Sequence, residues 1–119
     1  MPIVLKNLPD GTIDLDELRY AIVPNNTHLP QPKVICLENS HNHCNGNTIS
    51  LEYINKVRQL CDEKNLKLHL DGARSLNAAV ALGVTPAELG KDFDTISLCF
   101  SKGLSCPFGT AIIGSSEDI

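Results

Sequence analysis

Residues 66–82 read LKLHLDGARSLNAAVAL: an apolar strand, Leu66–Asp71, a turn at Gly72-Ala73-Arg74, then an Ala-rich helix over Ser75–Leu82. The helix is nearly all apolar, which predicts burial, and Gly83 ends it. A strand running straight into a helix is the unit from which alternating α/β folds are built. Downstream, Thr85-Pro86-Ala87-Glu88 combines a capping box with proline at the first helical position. A second strand follows at Thr95–Ser101 (TISLCFS), and Ala111–Gly114 (AIIG) returns antiparallel or as a short hairpin. Upstream, Ser50 caps a helix from Leu51 to about Lys64, with Leu51, Ile54, Val57, Leu60 and Cys61 on one face. Before it lies another strand, Lys33–Glu38 (KVICLE). Asp14 and Glu17 have capping-box spacing and open a short helix to about Val23, ended by Pro24. Asn25–Pro32 reads as a loop feeding the first strand.

Strand, helix, strand, helix, strand predicts an α/β fold, a mostly parallel sheet joined by right-handed βαβ crossovers. The strands read as continuous apolar runs rather than alternating ones, the pattern of a sheet covered on both faces.

Composition narrows the function classes. At 119 residues the chain is one domain or part of one. A net charge of −4 argues against nucleic acid and anionic membranes as partners. No apolar run approaches the roughly 20 residues that span a bilayer. Met1–Lys6 reads neither as a secretory signal nor as an Arg-rich transit peptide. Five cysteines, odd in number and irregular in spacing, argue against a disulfide framework and for a reducing, cytoplasmic setting.

In open parallel sheets ligands bind at the carboxyl ends of the strands. Three polar clusters fall there: Glu38–His43, Asp71–Arg74 and Ser101–Ser105. Asp71 is read either as the partner of a cationic group, such as a protonated pyridine nitrogen, or as a cap on the next helix. Arg74 suits bidentate recognition of a carboxylate, or else pairs with Asp71 or lies on the surface. Lys102 follows an apolar strand and precedes Gly103, a placement that suits an amine attacking an aldehyde; the plain alternative is a strand-end lysine reaching for solvent. His41, His43 and Cys44 lack a second pair at zinc-like separation, so no metal is expected; a loop histidine instead serves proton transfer or packs on a flat cofactor. His69 reads as a satisfied core residue and His28 as an exposed loop residue.

Taken together, LENSHNHC (Leu37–Cys44), HLDGARSLNAAVALGV (His69–Val84) and SLCFSKGLSCPFGT (Ser97–Thr110) resemble the threonine aldolases of the fold-type I pyridoxal phosphate enzymes. The lead-in KNLPDGTIDLDEL (Lys6–Leu18) is similar too. The resemblance implies part of an aspartate aminotransferase-like large domain, pyridoxal 5'-phosphate as cofactor, and a small amino-acid substrate. The reaction implied is cleavage of L-threonine and L-allo-threonine to glycine and acetaldehyde. It also implies roles: Lys102 as the Schiff-base lysine, Asp71 on the pyridine nitrogen, Arg74 on the substrate carboxylate and His41 near the β-hydroxyl. Full-length members assemble as dimers or tetramers. The alternatives are a β-eliminating lyase of the same fold type and a non-catalytic remnant.

The sequence differs from the family pattern at Ser105-Cys106, where Gly-Ala is common, and at Asn45-Gly46, where Gly-Gly is more usual. Family members are much longer. The expectation is that residues 1–119 form a central piece of the large domain, without the N-terminal phosphate-binding segment and the small C-terminal domain, and that this piece alone is poorly active.

Overall fold

The computed structural model describes residues 2–22 and 31–119. The end of the first helix at Val23–Pro24, most of the loop over 25–32, and His28 lie outside the described residues. Helix α1 spans Leu15–Ile22, and Asp14 caps it by accepting the Asp16 and Glu17 N–H groups at 2.9 and 3.0 Å. Strand β1 is Val34–Glu38, followed by a single 3-10 turn at Asn42–Cys44. Helix α2 (Leu51–Lys64) is capped by the Ser50 side chain, which accepts the Tyr53 N–H. Strand β2 (Lys67–Asp71), helix α3 (Ser75–Leu82), helix α4 (Pro86–Gly90), strand β3 (Thr95–Cys99) and strand β4 (Thr110–Gly114) complete the order. Each lies within a residue or two of its sequence reading. The Thr85–Glu88 capping box forms with both arms in place. Gly83 closes α3 at φ 67°, a backbone region that favours glycine.

The four strands form one sheet in the order β1-β2-β3-β4. β1, β2 and β3 are parallel, and β4 returns antiparallel on β3. The fold class is α/β with a mostly parallel sheet, as expected.

Coverage of the sheet differs from expectation. Two successive right-handed crossovers in one direction put their helices on the same side. Ile35, Leu37 and Leu68 point to that side and join Leu18, Val57 and Ala78 of the helices in one core cluster. The opposite face carries Val34, Cys36, His69 and Asp71, none of them buried. β1 and β2 therefore alternate between buried and open residues, although their sequences read as continuous apolar runs. Apolar residues on the open face of β1, Val34 (49% exposed) and Cys36, explain why its alternation was invisible. Helix α3 is likewise less enclosed than its composition implied: Ser75, Ala78 and Ala79 are buried, but Val80 is 82% exposed.

Candidate active site

Strand register brings the three polar clusters to one edge. Glu38 of β1 is the direct register partner of Asp71 of β2, and Asp71 is the partner of Ser97 of β3. Side chains in register point to the same face. Glu38, Asp71, Ser97 and, two residues on, Cys99 thus share the open face near the carboxyl ends.

At the end of β2, the Asp71 Oδ1 accepts the Ala73 N–H at 3.1 Å. This bond closes a turn ahead of α3, whose N-cap residue is Arg74, so the helix-cap role weighed for Asp71 from sequence does not form. The other carboxylate oxygen accepts no hydrogen bond from the described residues, so the turn leaves it available to a ligand. Gly72 is required by close approach: a Cβ there would sit 2.6 Å from the Ser97 carbonyl oxygen and 3.0 Å from the Ser75 Oγ. Arg74 is the N-cap residue of α3 without capping through its side chain. Among the described residues its guanidinium joins no ion pair, and the pairing with Asp71 weighed from sequence does not form.

Past β3, the chain turns through Ser101–Ser105, all exposed. Lys102 reaches back and its Nζ donates to the Cys99 Sγ at 3.2 Å. That contact, with help from Thr110, holds the Cys99 thiol below its ordinary value, while the Asp71 carboxylate opposes the shift. Cys99 therefore lies within electrostatic reach of both Lys102 and Asp71. The other shifted thiols move the opposite way. Burial pushes Cys61 up to about 11, and burial with the nearby Asp71 charge pushes Cys36 up.

The His41 loop is built around Asn39, which is 1% exposed. The Asn39 side chain donates to the Ile49 carbonyl and accepts the Ile49 N–H, both at 3.1 Å. Both ends of its amide are satisfied, so the loop from β1 to α2 is clamped. The His41 ring does not stand open at the strand edge. His41 is 7% exposed and lies against Gly11, where a Cβ would be 2.9 Å from its own Cβ. Its Nε2 is 3.7 Å from the Glu38 Oε2, and its Nδ1 is enclosed without a hydrogen-bond partner. His43 instead lines a separate shallow cleft with Lys6, Asp14 and Glu17. Among the described residues no three His, Cys, Asp or Glu side chains gather as metal ligands. His69 is satisfied as predicted, with Nδ1 2.7 Å from the Thr95 Oγ1, but on the open face and not in the core.

Lys102 and Asp71 thus stand at adjacent strand ends of one face, with Arg74 at the following helix start and His41 one strand away behind Glu38. An amine, and a carboxylate with a free oxygen, fit an aldehyde-bearing pyridine cofactor. Glu38 and Cys99 had no role assigned from sequence. Glu38 precedes His41 by three residues, and Cys99 precedes Lys102 by three; that spacing was the available signal.

Profiles of known families decide the wider kinship: the beta-eliminating lyase family matches residues 1–119. The chain belongs to the beta-eliminating lyase family. Among its relatives, the low-specificity L-threonine aldolase 1 of Arabidopsis thaliana is 42% identical over 120 residues, covering 99% of this chain and 34% of that protein. The low specificity L-threonine aldolase of Escherichia coli K12 is 38% identical over 110 residues, covering 92% and 32%. The solved threonine aldolase of Leishmania major superposes with a TM-score of 0.80 at 24% identity, over 98% of this chain and 34% of that one, a likeness of fold. This beta-eliminating lyase chain spans about a third of the length of the curated relatives it matches.

Proposed function

We propose that this chain carries the strand-end machinery of a pyridoxal-phosphate-dependent carbon–carbon lyase that cleaves L-threonine and L-allo-threonine to glycine and acetaldehyde. The observation that carries the reading is the placement of Asp71 and of the Lys102–Cys99 contact at adjacent strand ends of one sheet face. Relatives about 40% identical over nearly the whole chain bear the name threonine aldolase. Lys102 presents the amine that would hold the cofactor aldehyde, on an exposed loop that leaves room for a bulky ring. The free oxygen of Asp71 would meet the pyridine nitrogen and keep it protonated. When bound, the cofactor supplies an electron sink for the carbanion left by Cα–Cβ cleavage. Arg74, free of internal ion pairs among the described residues, would take the substrate carboxylate. His41 and Glu38 form the end of the site that handles the β-hydroxyl proton. Glu38 is the more open of the two, and His41 Nε2 backs it at 3.7 Å.

The second reading is β-elimination by the same residues, favoured by the matched family's description. Product analysis with L-threonine and L-serine separates the two: acetaldehyde with glycine marks the aldolase, pyruvate or 2-oxobutanoate the eliminating lyase. The decisive site test is borohydride reduction after adding pyridoxal phosphate, followed by peptide mapping. Label on Lys102 is expected. Folded protein that takes no label there sinks the reading.

No described helix is long and apolar enough to cross a membrane. The five unpaired thiols suit a reducing compartment, the cytoplasm in this proposal. A dimer or tetramer is the assembly it expects of full-length members.

A further inference from the structure

The structure places a half-exposed thiol and an exposed amine in direct contact. Lys102 Nζ lies 3.2 Å from Cys99 Sγ, and Thr110 Oγ1 flanks the sulfur at 3.8 Å. Cys99 is on the open sheet face and Lys102 on an exposed loop. We propose that Cys99 and Lys102 form an oxidative modification site, at which a hydroperoxide converts the pair into a sulfur–nitrogen cross-link.

The chemistry balances with the hydroperoxide as sole oxidant. The Cys99 thiolate attacks the terminal peroxide oxygen, the O–O bond breaks, and sulfur is oxidised to a sulfenic acid while the peroxide leaves as an alkoxide. Lys102 stands beside the new group. One ammonium proton goes to the alkoxide, giving the alcohol. The nitrogen then attacks sulfur, the S–O bond breaks, and the hydroxyl departs with a second ammonium proton as water. Thiolate, ammonium and an organic hydroperoxide thus yield a sulfenamide, an alcohol and water, hydrogen peroxide giving a second water in place of the alcohol, and a thiol reverses the bond by attack on sulfur.

Thiol acidity, the lysine contact and the exposed loop together select this pair over the other cysteines. The Lys102 ammonium favours the thiolate at Cys99, the form that reacts with peroxide. Cys61 is buried and its thiol is pushed up to about 11, which keeps it protonated. Cys36 is pushed up by burial and by Asp71. No other cysteine has a lysine nitrogen in hydrogen-bond contact among the described residues. The loop carrying Lys102 is exposed over Ser101–Phe108, so closing the contact into a bond meets little packing.

The functional consequence rests on the proposed role of Lys102: a cross-linked amine cannot hold the cofactor, and a cofactor-held amine cannot cross-link. The bond itself requires no cofactor, so the two readings fail separately.

The test treats the 119-residue chain, without and with excess pyridoxal phosphate, with hydrogen peroxide or cumene hydroperoxide, then blocks remaining thiols and digests with trypsin. Lys91 and Lys102 are the last two cleavage points in the sequence. The cross-link removes the second, so residues 92–119 are expected in one piece, about 2 Da lighter than the same peptide calculated with Cys99 as a free thiol and Lys102 as a free amine. Dithiothreitol is expected to restore cleavage. Cys99→Ser is expected to abolish the species and Cys106→Ser to leave it. Cofactor-free wild-type protein with full cleavage after Lys102, and with Cys99 recovered as thiol, sulfinic acid or a disulfide, overturns the proposal, and this reading needs no variant to fold. Cross-linking that persists undiminished under excess cofactor supports the modification site and counts against the cofactor role instead.

Discussion

Glu38 and His41 are coupled across the end of β1: one carboxylate oxygen stands 3.7 Å from the His41 Nε2 while the other accepts the Asn42 N–H at 2.9 Å. A single side chain thereby holds both the loop backbone and the buried ring. Glu38→Ala is expected to cost about 1 kcal/mol through the lost backbone hydrogen bond. Glu38→Gln keeps an acceptor oxygen and should cost less. Urea denaturation of both variants checks the order; equal midpoints for Ala and wild type would show that Glu38 does not hold the loop.

Two glycines near the site predict a large and a small effect for one substitution. A Cβ at Gly72 would meet the Ser97 carbonyl at 2.6 Å and Ile96 Cγ2 at 2.9 Å. A backbone atom in a paired strand cannot step aside, so Gly72→Ala is expected to destabilise by roughly 1–3 kcal/mol. At Gly103 the nearest atom is the Asn77 Oδ1, 2.5 Å away, the movable end of an exposed side chain. Gly103→Ala should change stability by less than about 0.5 kcal/mol. Thermal or urea unfolding of the pair reads this contrast, and a milder effect at Gly72 than at Gly103 contradicts it.

Asp94 makes acid the condition under which the β2–β3 junction weakens. Burial disfavours its charge. The Leu68 N–H, Arg58 at 2.7 Å and Lys67 outweigh that and hold its carboxyl below the usual range. A depressed folded value means the stabilisation is full above the unfolded carboxylate value of about 3.9 and is lost as pH falls through the lower folded value. Asp94→Asn is expected to lose roughly 1–3 kcal/mol at neutral pH. The gap between wild type and variant should close as pH falls below the ordinary carboxylate range. A gap that stays constant over that range removes Asp94 as the titrating group.

The capping box of α4 offers a local control. Thr85 Oγ1 accepts the Glu88 N–H at 3.1 Å, and the Glu88 carboxylate accepts the Thr85 N–H at 2.7 Å. Thr85→Ala is expected to cost about 1 kcal/mol without touching the candidate site. Loss of cofactor labelling at Lys102 in that variant, with the fold intact, would show that α4 and the site are coupled.

Order and type of elements were legible because each rested on a local cause. Ser50 and Thr85 cap their helices through their own side chains, Gly83 ends α3 in the left-handed region, and the branched runs of β1 and β3 are strands. The candidate site was legible in part. Asp71 and Lys102 were named from position and resemblance; strand register sets Asp71 beside Ser97 of β3, and Lys102 reaches back to Cys99 of the same strand. His41 was named too, but its enclosure beneath Gly11 depends on residues thirty positions apart, a contact no periodicity reports.

By itself the sequence determined the α/β alternation, the strand ends that carry polar groups and the membership of those groups in one family-like pattern, since caps, turns and apolar runs act within a few residues. Only the tertiary structure decided which sheet face is open, that Glu38 stands over His41, and that the Lys102 amine lies on the Cys99 thiol. Those outcomes follow from crossover handedness and strand register, which relate residues far apart in the chain and leave no trace in the identity of either partner.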